Sequence, residues 1–502
     1  MLRVAMETFE VLPQKGSVGG SLLGHKAEFV FMPLKHSALL LDDGYQRICI
    51  LTSHSGGVNA LPISNLYRSQ VANTMGLDMD RVLLFSSHNH SCTALLPPSY
   101  RSWAIDDARE LSAADLTWEG RQVLQGFLRT ARSLSDRLVP VTVRYGLGHE
   151  RRITHNRKGR RADGSTYFMR EEDRLKLGVD FCGDIDDDAP VIGFFDATGQ
   201  PVCFLAQFTG HPVTAYHCEH PVVHGEFPQV ACDDLSSAQG GVPVAFLQGC
   251  AGDTNSKGLL SVKPAEENVK DAERFGRCLG ETYTQVTGSL ALSVRSDLGL
   301  TWQDVTLPFK DMPAHEALQQ RLREVEAFLE RCDAGDDPGT RECDGLNFPT
   351  NMTPAYRKTL IEPTRQWLLW AMKFHEEQRL QDVPKGVTLR IAALRIGDVG
   401  IVGLPCEPLL GIGRQIKRQS PLPLTVPCGY MNANQINYVP DGPNCEDREY
   451  ISSFYRYRPG LLPYRRPAGD LLARAAVEML GRIGGGPWDE QNGLDPKSAT
   501  HE

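Results

Sequence analysis

A chain of 502 residues, 41% hydrophobic and 23% charged, has the make-up of a folded protein with a buried core, long enough for one large domain or for two. Its formal charge of −9 and pI near 5.9 exclude nucleic acid as the main partner, because phosphate binding needs a concentrated excess of Lys and Arg. No apolar run approaches the roughly 18–20 residues that span a bilayer, which excludes stable insertion as a helix.

The first stretch, MLRVAMETFEVLPQKG, lacks the uninterrupted apolar segment and small-residue cleavage site of a secretory signal. The 13 cysteines are odd in number and hold no CxxC pair, an inventory suited to a reducing compartment, and the expected location is cytoplasmic. Farther along, Ala38–Leu41 and Ile48–Leu51 flank the turn signal at Asp42, Asp43 and Gly44, as the arms of a hairpin do. Val82–Phe85, Cys203–Phe208, Val242–Leu247 and Val399–Leu404 are short apolar runs of strand length, suited to strands buried on both faces. The basic stretch from Arg151 to Arg161 reads as a solvated loop. Leu318, Leu322, Val325 and Leu329 keep helical spacing within Ala314–Glu330, with Asp311 and Pro313 near the start. With a second helical stretch over Trp367–Leu380 they form a helical insertion at about 312–381. Leu409, Ile412 and Ile416 predict another helix. Strands alternating with helices predict an α/β fold of mixed β-sheets flanked by helices, one domain over 1–483, with a loose tail over 484–502 that opens on a Gly run.

The chain has no GxxxxGK[ST], no GxGxxG after a strand, no GxSxG and no HExxH, so the usual marks of nucleotide, serine-hydrolase and zincin chemistry are missing. What it has is a pattern in the loops. The apolar runs lead directly into His88-Asn89-His90, into Gly210-His211-Pro212, into Gly252-Asp253-Thr254-Asn255 and into Cys406-Glu407-Pro408. Loops at the carboxyl ends of strands form the binding crevice of open α/β sheets. Imidazole and carboxylate together suit Zn²⁺ with one position open to water. His88 and His90 lie one residue apart, and on extended backbone they face opposite ways; unless the loop bends, one ligates and the other serves as proton donor or hydrogen-bond partner. Taken singly, the His88 and His90 pair reads equally well as hydrogen-bonded loop side chains, while His211 alone reads rather as a loop side chain and Glu407 alone as a helix start.

In order along the chain, SHNHS (Ser87–Ser91), GHPV (Gly210–Val213) with HGEFP (His224–Pro228), FLQGCAGDTN (Phe246–Asn255), LRIGDVGIVGLPCEP (Leu394–Pro408) and GYMNANQINYVP (Gly429–Pro440) resemble the catalytic domain of the neutral/alkaline, non-lysosomal ceramidase family. The resemblance implies a ceramidase-catalytic-domain-like fold and a zinc site of His88, His211, Glu407 and Tyr438, with His90 for proton transfer and transition-state stabilisation. It also implies that Asp253 and Asn255 shape the pocket and that Asn156 and Arg157 line it, so that His90, Asp253 and Arg157 form the expected catalytic set. Where the family carries Gly-Pro after its first motif this chain has Cys92 and Thr93, and Cys250 and Cys406 stand where small residues are common. These thiols read as space-fillers, with metal ligation or nucleophilic attack as the alternative. His217, Cys218, Glu219, His220 and His224 read as a polar loop or as a second metal site.

Known ceramidases of this family are longer and usually exported, so the resemblance supplies the metal chemistry and not the substrate. The expected activity is zinc-dependent hydrolysis of a C–N amide bond in a small soluble substrate. Ester or lactone hydrolysis, metal-assisted isomerisation or elimination, and a silent ligand-binding homologue are the alternatives, with ceramide itself ranked after them. A homo-oligomer is compatible with all of these.

Overall fold

The computed structural model describes residues 1–19, 25–97, 110–217, 220–259, 261 and 263–484. The expected tail lies outside these from 485 onward.

Three mixed sheets carry the fold. The first contains β1 (Arg3–Val11), β2 (Leu34–Asp42), β3 (Arg47–Ser53) and β4 (Val82–Ser86), in the order β4-β3-β2-β1, with Val139–Pro140 on the far edge. The second contains β5 (Thr142–His149), β6 (Asp188–Phe195), β7 (Pro201–Phe208) and β8 (Val244–Gln248), in the order β8-β7-β6-β5, with Ala291–Leu292 outside β5. The third runs β9 (Leu298–Pro308), β10 (Gly386–Ile396), β11 (Val399–Gly403) and β12 (Leu424–Cys428).

The apolar runs are continuous because both faces of these strands are covered. In β2, Leu39 and Leu41 enter a central core shared by the three sheets, while Ala38 and Leu40 face α1 (Leu61–Met75) and α2 (Trp118–Leu134). Neighbouring β3 divides in the same way, Ile48 and Ile50 inward, Cys49 and Leu51 outward. Each fully buried Leu or Ile contributes roughly 1.5–3 kcal/mol relative to exposure, and a one-residue slip would exchange the two sets. After the short α3 (Glu171–Leu177), α4 (Glu226–Ala238) and α5 (Ala265–Thr287) cover the outer face of the second sheet. Outside the third sheet the core takes in side chains of α6 (His315–Asp333), α7 (Pro354–Glu376), α8 (Leu410–Gln419) and α9 (Asp470–Gly484).

The hairpin is present. Ala38 opposes Leu51 and Leu41 opposes Ile48, across a turn in which Gly44 has φ +91°. Both helices expected after β9 are present, but α7 begins at Pro354, well before Trp367, with the Thr353 side chain accepting the Tyr356 N–H. Pro363 inside that helix interrupts its pattern in the sequence. Among the described residues, no helix is long and apolar enough to cross a membrane.

Candidate metal centre

Each large sheet contains one parallel pair at or near its edge: β3 with β4, β7 with β8, and β11 with β12. The carboxyl ends of all six strands meet. Asn59 follows β3, His88 and His90 follow β4, and His211 follows β7. Gln248 ends β8, Glu407 follows β11, and Tyr430 and Tyr438 follow β12. Backbone bonds tie this end together: Asn432 N–H to the Leu84 carbonyl, Gly429 N–H to Gln248, and Gly252 N–H to Pro408. The approach at Gly252 excludes a side chain, since a Cβ there would lie 2.8 Å from the Glu407 carbonyl oxygen. Farther along, Glu407–Pro408 pairs with Tyr438–Val439, which sets Glu407 directly beside Tyr438.

His88 adopts a left-handed backbone, φ +61°, and this bend turns both of its loop's imidazoles the same way. The Nε2 atoms of His88 and His90 lie 3.1 Å apart. Tyr430, Asn432 and Asn437 also have positive φ, between +58° and +61°, a concentration of backbone strain around one site.

Glu407 Oε2 lies 3.0 Å from His211 Nε2 and 3.5 Å from His88 Nε2. Zinc bonds of about 2.1 Å in a tetrahedron separate neighbouring ligand atoms by roughly 3.4 Å, so these spacings fit one cation. His211 Nδ1 donates to the Ala251 carbonyl at 2.7 Å, which leaves the Nε2 lone pair directed at Glu407. The Asn59 side-chain amide lies 2.8 Å from His88 Nδ1; with its carbonyl oxygen turned to that nitrogen it accepts the Nδ1–H and leaves the Nε2 lone pair free. Ligand atoms of His88, His90 and His211 all lie within 4.8 Å of one another. Arg157 Nη2 donates to the Tyr438 hydroxyl at 2.9 Å and approaches His211 Nε2 to 3.4 Å. The donor set of two imidazoles, a carboxylate and a neighbouring phenol suits zinc.

Burial lowers His88 and His90 to about 3 and His211 to about 4, so the rings are neutral at pH 7 and present lone pairs. Burial disfavours the Glu407 carboxylate, but His88 and His211, which gain their protons only in acid, and Arg157, charged throughout, outweigh it and hold the group well below the usual carboxylate range. Because the imidazoles are neutral, the full positive charge beside it is Arg157. That guanidinium is itself buried, and the neighbouring Tyr438, Glu407 and Tyr430 keep it charged.

Asp253 stands apart from these groups. Its Oδ1 accepts the Leu410 N–H at the start of α8, and its Oδ2 faces Asn156 Nδ2 at 3.4 Å. It reaches the centre through Arg157, whose backbone N–H donates to the Asp253 carbonyl. Asn156 likewise holds the Asp184 carbonyl, whereas Asn255 Oδ1 accepts from Arg157 Nη1 at 3.0 Å. Cys92, Cys250 and Cys406 are buried, and burial pushes the last two thiols well up, away from thiolate. Of the possible second cluster, Cys218 and Glu219 lie outside the described residues. The rings of His217 and His220 adjoin, while His224 is buried with its Nδ1 accepting the Glu226 N–H.

No protein-family model and no curated protein matches the sequence. Among solved structures, the neutral ceramidase from Pseudomonas aeruginosa aligns with a TM-score of 0.61 over 97% of this chain and 75% of its own, at 16% identity. A ceramidase complexed with C2 aligns at 0.62 over 97% and 76%, at 15% identity. The fold is that of the neutral ceramidases. On this ceramidase-like frame the sequence reading missed Asn59, which borders His88, and three further residues that touch the centre. Tyr430 stacks on His88 with ring centroids 4.2 Å apart, and its hydroxyl lies 3.5 Å from both His211 Nε2 and Glu407 Oε2. Asn434 and Asn437 donate to Glu407 Oε1. All three fall within GYMNANQINYVP, so the stretch was visible in the sequence and its individual roles were not.

Proposed function

We propose that this chain is a zinc-dependent hydrolase that cleaves a C–N amide bond of a small soluble substrate, with His88, His211, Glu407 and Tyr438 as metal ligands. The observation that carries the reading is the convergence of His88, His211 and Glu407, from three separate segments, at spacings of 3.0–3.5 Å. The shared fold of the neutral ceramidases supports the choice of a C–N bond. When bound, zinc supplies Lewis acidity toward a carbonyl oxygen and a water acidified to near neutral pH.

The chain's own groups do the rest. His90 is slightly less buried than His88 and lies edge-on to Tyr216, with ring centroids 5.5 Å apart. From there the neutral ring can accept a proton released by the attacking water and return it to the departing nitrogen, or hydrogen-bond the oxyanion through its N–H. Arg157 orients the Tyr438 hydroxyl and balances Glu407. Asp253 positions Arg157 and the start of α8 rather than acting on substrate.

A cytoplasmic location is part of the proposal, supported by the free thiols of buried cysteines such as Cys49, Cys203, Cys250 and Cys406. A small-molecule partner is supported by the net charge and by the basic stretch, where Arg151, Arg152, Arg160 and Arg161 each face a carboxylate. The test is a panel of amides, esters, lactones and a short-chain fluorescent ceramide, assayed with and without chelator. Amide cleavage lost on chelation and restored by zinc is expected. Turnover confined to esters or lactones, or unaffected by chelator, overturns the reading.

A further inference from the structure

Glu226 is fully buried and opens α4 with φ +56°, a left-handed conformation that a β-carbon disfavours. Its carboxylate gathers donors from two loops of the centre. Oε1 accepts the Ser91 hydroxyl at 2.7 Å and the Ala215 N–H at 2.8 Å, and Oε2 accepts the Thr214 N–H at 3.2 Å. The Tyr216 N–H donates to it as well. Ser91 adjoins His90 in sequence, and Tyr216 is the ring that meets His90 edge-on. The same loops are stitched beside it by Asn89 Nδ2 to the His224 carbonyl, His224 N–H to the Ser91 carbonyl, and His90 N–H to the Pro212 carbonyl.

We infer that Glu226 is the positioning residue for His90, clamping the loop that carries it against the loop that carries Tyr216. Its carboxylate is engaged by Ser91 and by the backbone of residues 214–216 rather than by the proposed ligands, so it acts through the orientation of His90. An ordinary buried structural acid needs neither the strained φ nor donors drawn from both flanks of one imidazole of the centre. This assignment rests on the hydrolase reading of the centre.

The experiment compares Glu226→Gln and Ser91→Ala in the full chain, each with and without His90→Ala. Glu226→Gln is expected to lower kcat by roughly 10- to 100-fold, with KM and zinc content moving less than about twofold. In the His90→Ala background the further loss should fall below about threefold, because the residue acts through the ring already removed. Ser91→Ala, a milder change, should show a smaller loss that also disappears without His90. Amide hydrogen exchange at residues 214–216 should speed up by at least about tenfold in Glu226→Gln. An equal kcat loss in both backgrounds, or unchanged exchange at 214–216, overturns the assignment. Exchange needs no turnover, so a wild type that cleaves nothing removes the hydrolase reading, while the exchange data still decide whether Glu226 clamps the loops.

Discussion

Glu407 is held from two sides. Oε2 faces the two imidazoles, and Oε1 accepts N–H bonds from Asn434 at 2.5 Å and Asn437 at 3.4 Å. Partners of this kind fix the direction of a metal-binding carboxylate, and their loss typically weakens metal affinity by about 10–100-fold. Asn434→Ala should therefore weaken zinc binding by about tenfold or more, measured by competition with a chromophoric chelator; unchanged affinity would mean that the carboxylate orients itself. The two tyrosines separate in the same assay. Tyr438→Phe removes the acceptor of Arg157 Nη2 and a proposed ligand, and is expected to cost at least about tenfold in affinity. Tyr430→Phe keeps the ring stacked on His88 and should change affinity by less than about threefold. The reverse order would move the ligand assignment from Tyr438 to Tyr430. At this scale His88, His211 and Glu407 were legible because each directly follows an apolar run. Tyr438 was legible only through the resemblance, since a Tyr before Val reads as core packing. Nothing in the spacing of Asn434 or Tyr430 marks a partner of a distant carboxylate.

Strands and turns were the most legible elements. Continuous apolar runs announced strands covered on both faces, and Asp42, Asp43 and Gly44 announced the turn between β2 and β3. Asp42 also carries a testable charge effect. Burial opposes its ionisation, but Arg47, the Gly44 N–H and Arg3 outweigh it and hold its pKa below the ordinary 3.8. A lowered acid pKa means that its stabilisation is present above that ordinary value and is lost as pH falls through the folded-state value. Both arginines are nearly half exposed, which limits the effect. Asp42→Asn should cost about 1 kcal/mol at pH 7 by urea denaturation, with the difference shrinking towards zero below about pH 4. A difference independent of pH would assign the cost to turn geometry alone. What the elements concealed was the bend at His88. Alternation on extended backbone separates His88 from His90, and no local signal announces a left-handed histidine, so their convergence is set by the tertiary structure. The early start of α7 was hidden similarly, by Pro363 within it.

Across the molecule, the proposed ligands come from loops on the first, second and third sheets, so one cation bound there would link all three. Ligand bound only to the folded state stabilises by mass action, about 4 kcal/mol when free metal exceeds Kd a thousandfold. Stripping the metal should thus lower Tm by on the order of 5 °C and added zinc should restore it; a Tm indifferent to chelator would show that the sheets hold together without it. The mixed sheets were legible from strand lengths and helix spacing, whereas the junction of three parallel pairs was not, because it depends on contacts between segments far apart in the chain. The most direct measurement is the metal content of protein purified without chelators, by plasma mass spectrometry, for wild type and for His88→Ala, His211→Ala and Glu407→Ala. One zinc per chain in wild type, and far less in each variant, is the expected result. A wild type without stoichiometric transition metal, or variants that retain it, would contradict the account.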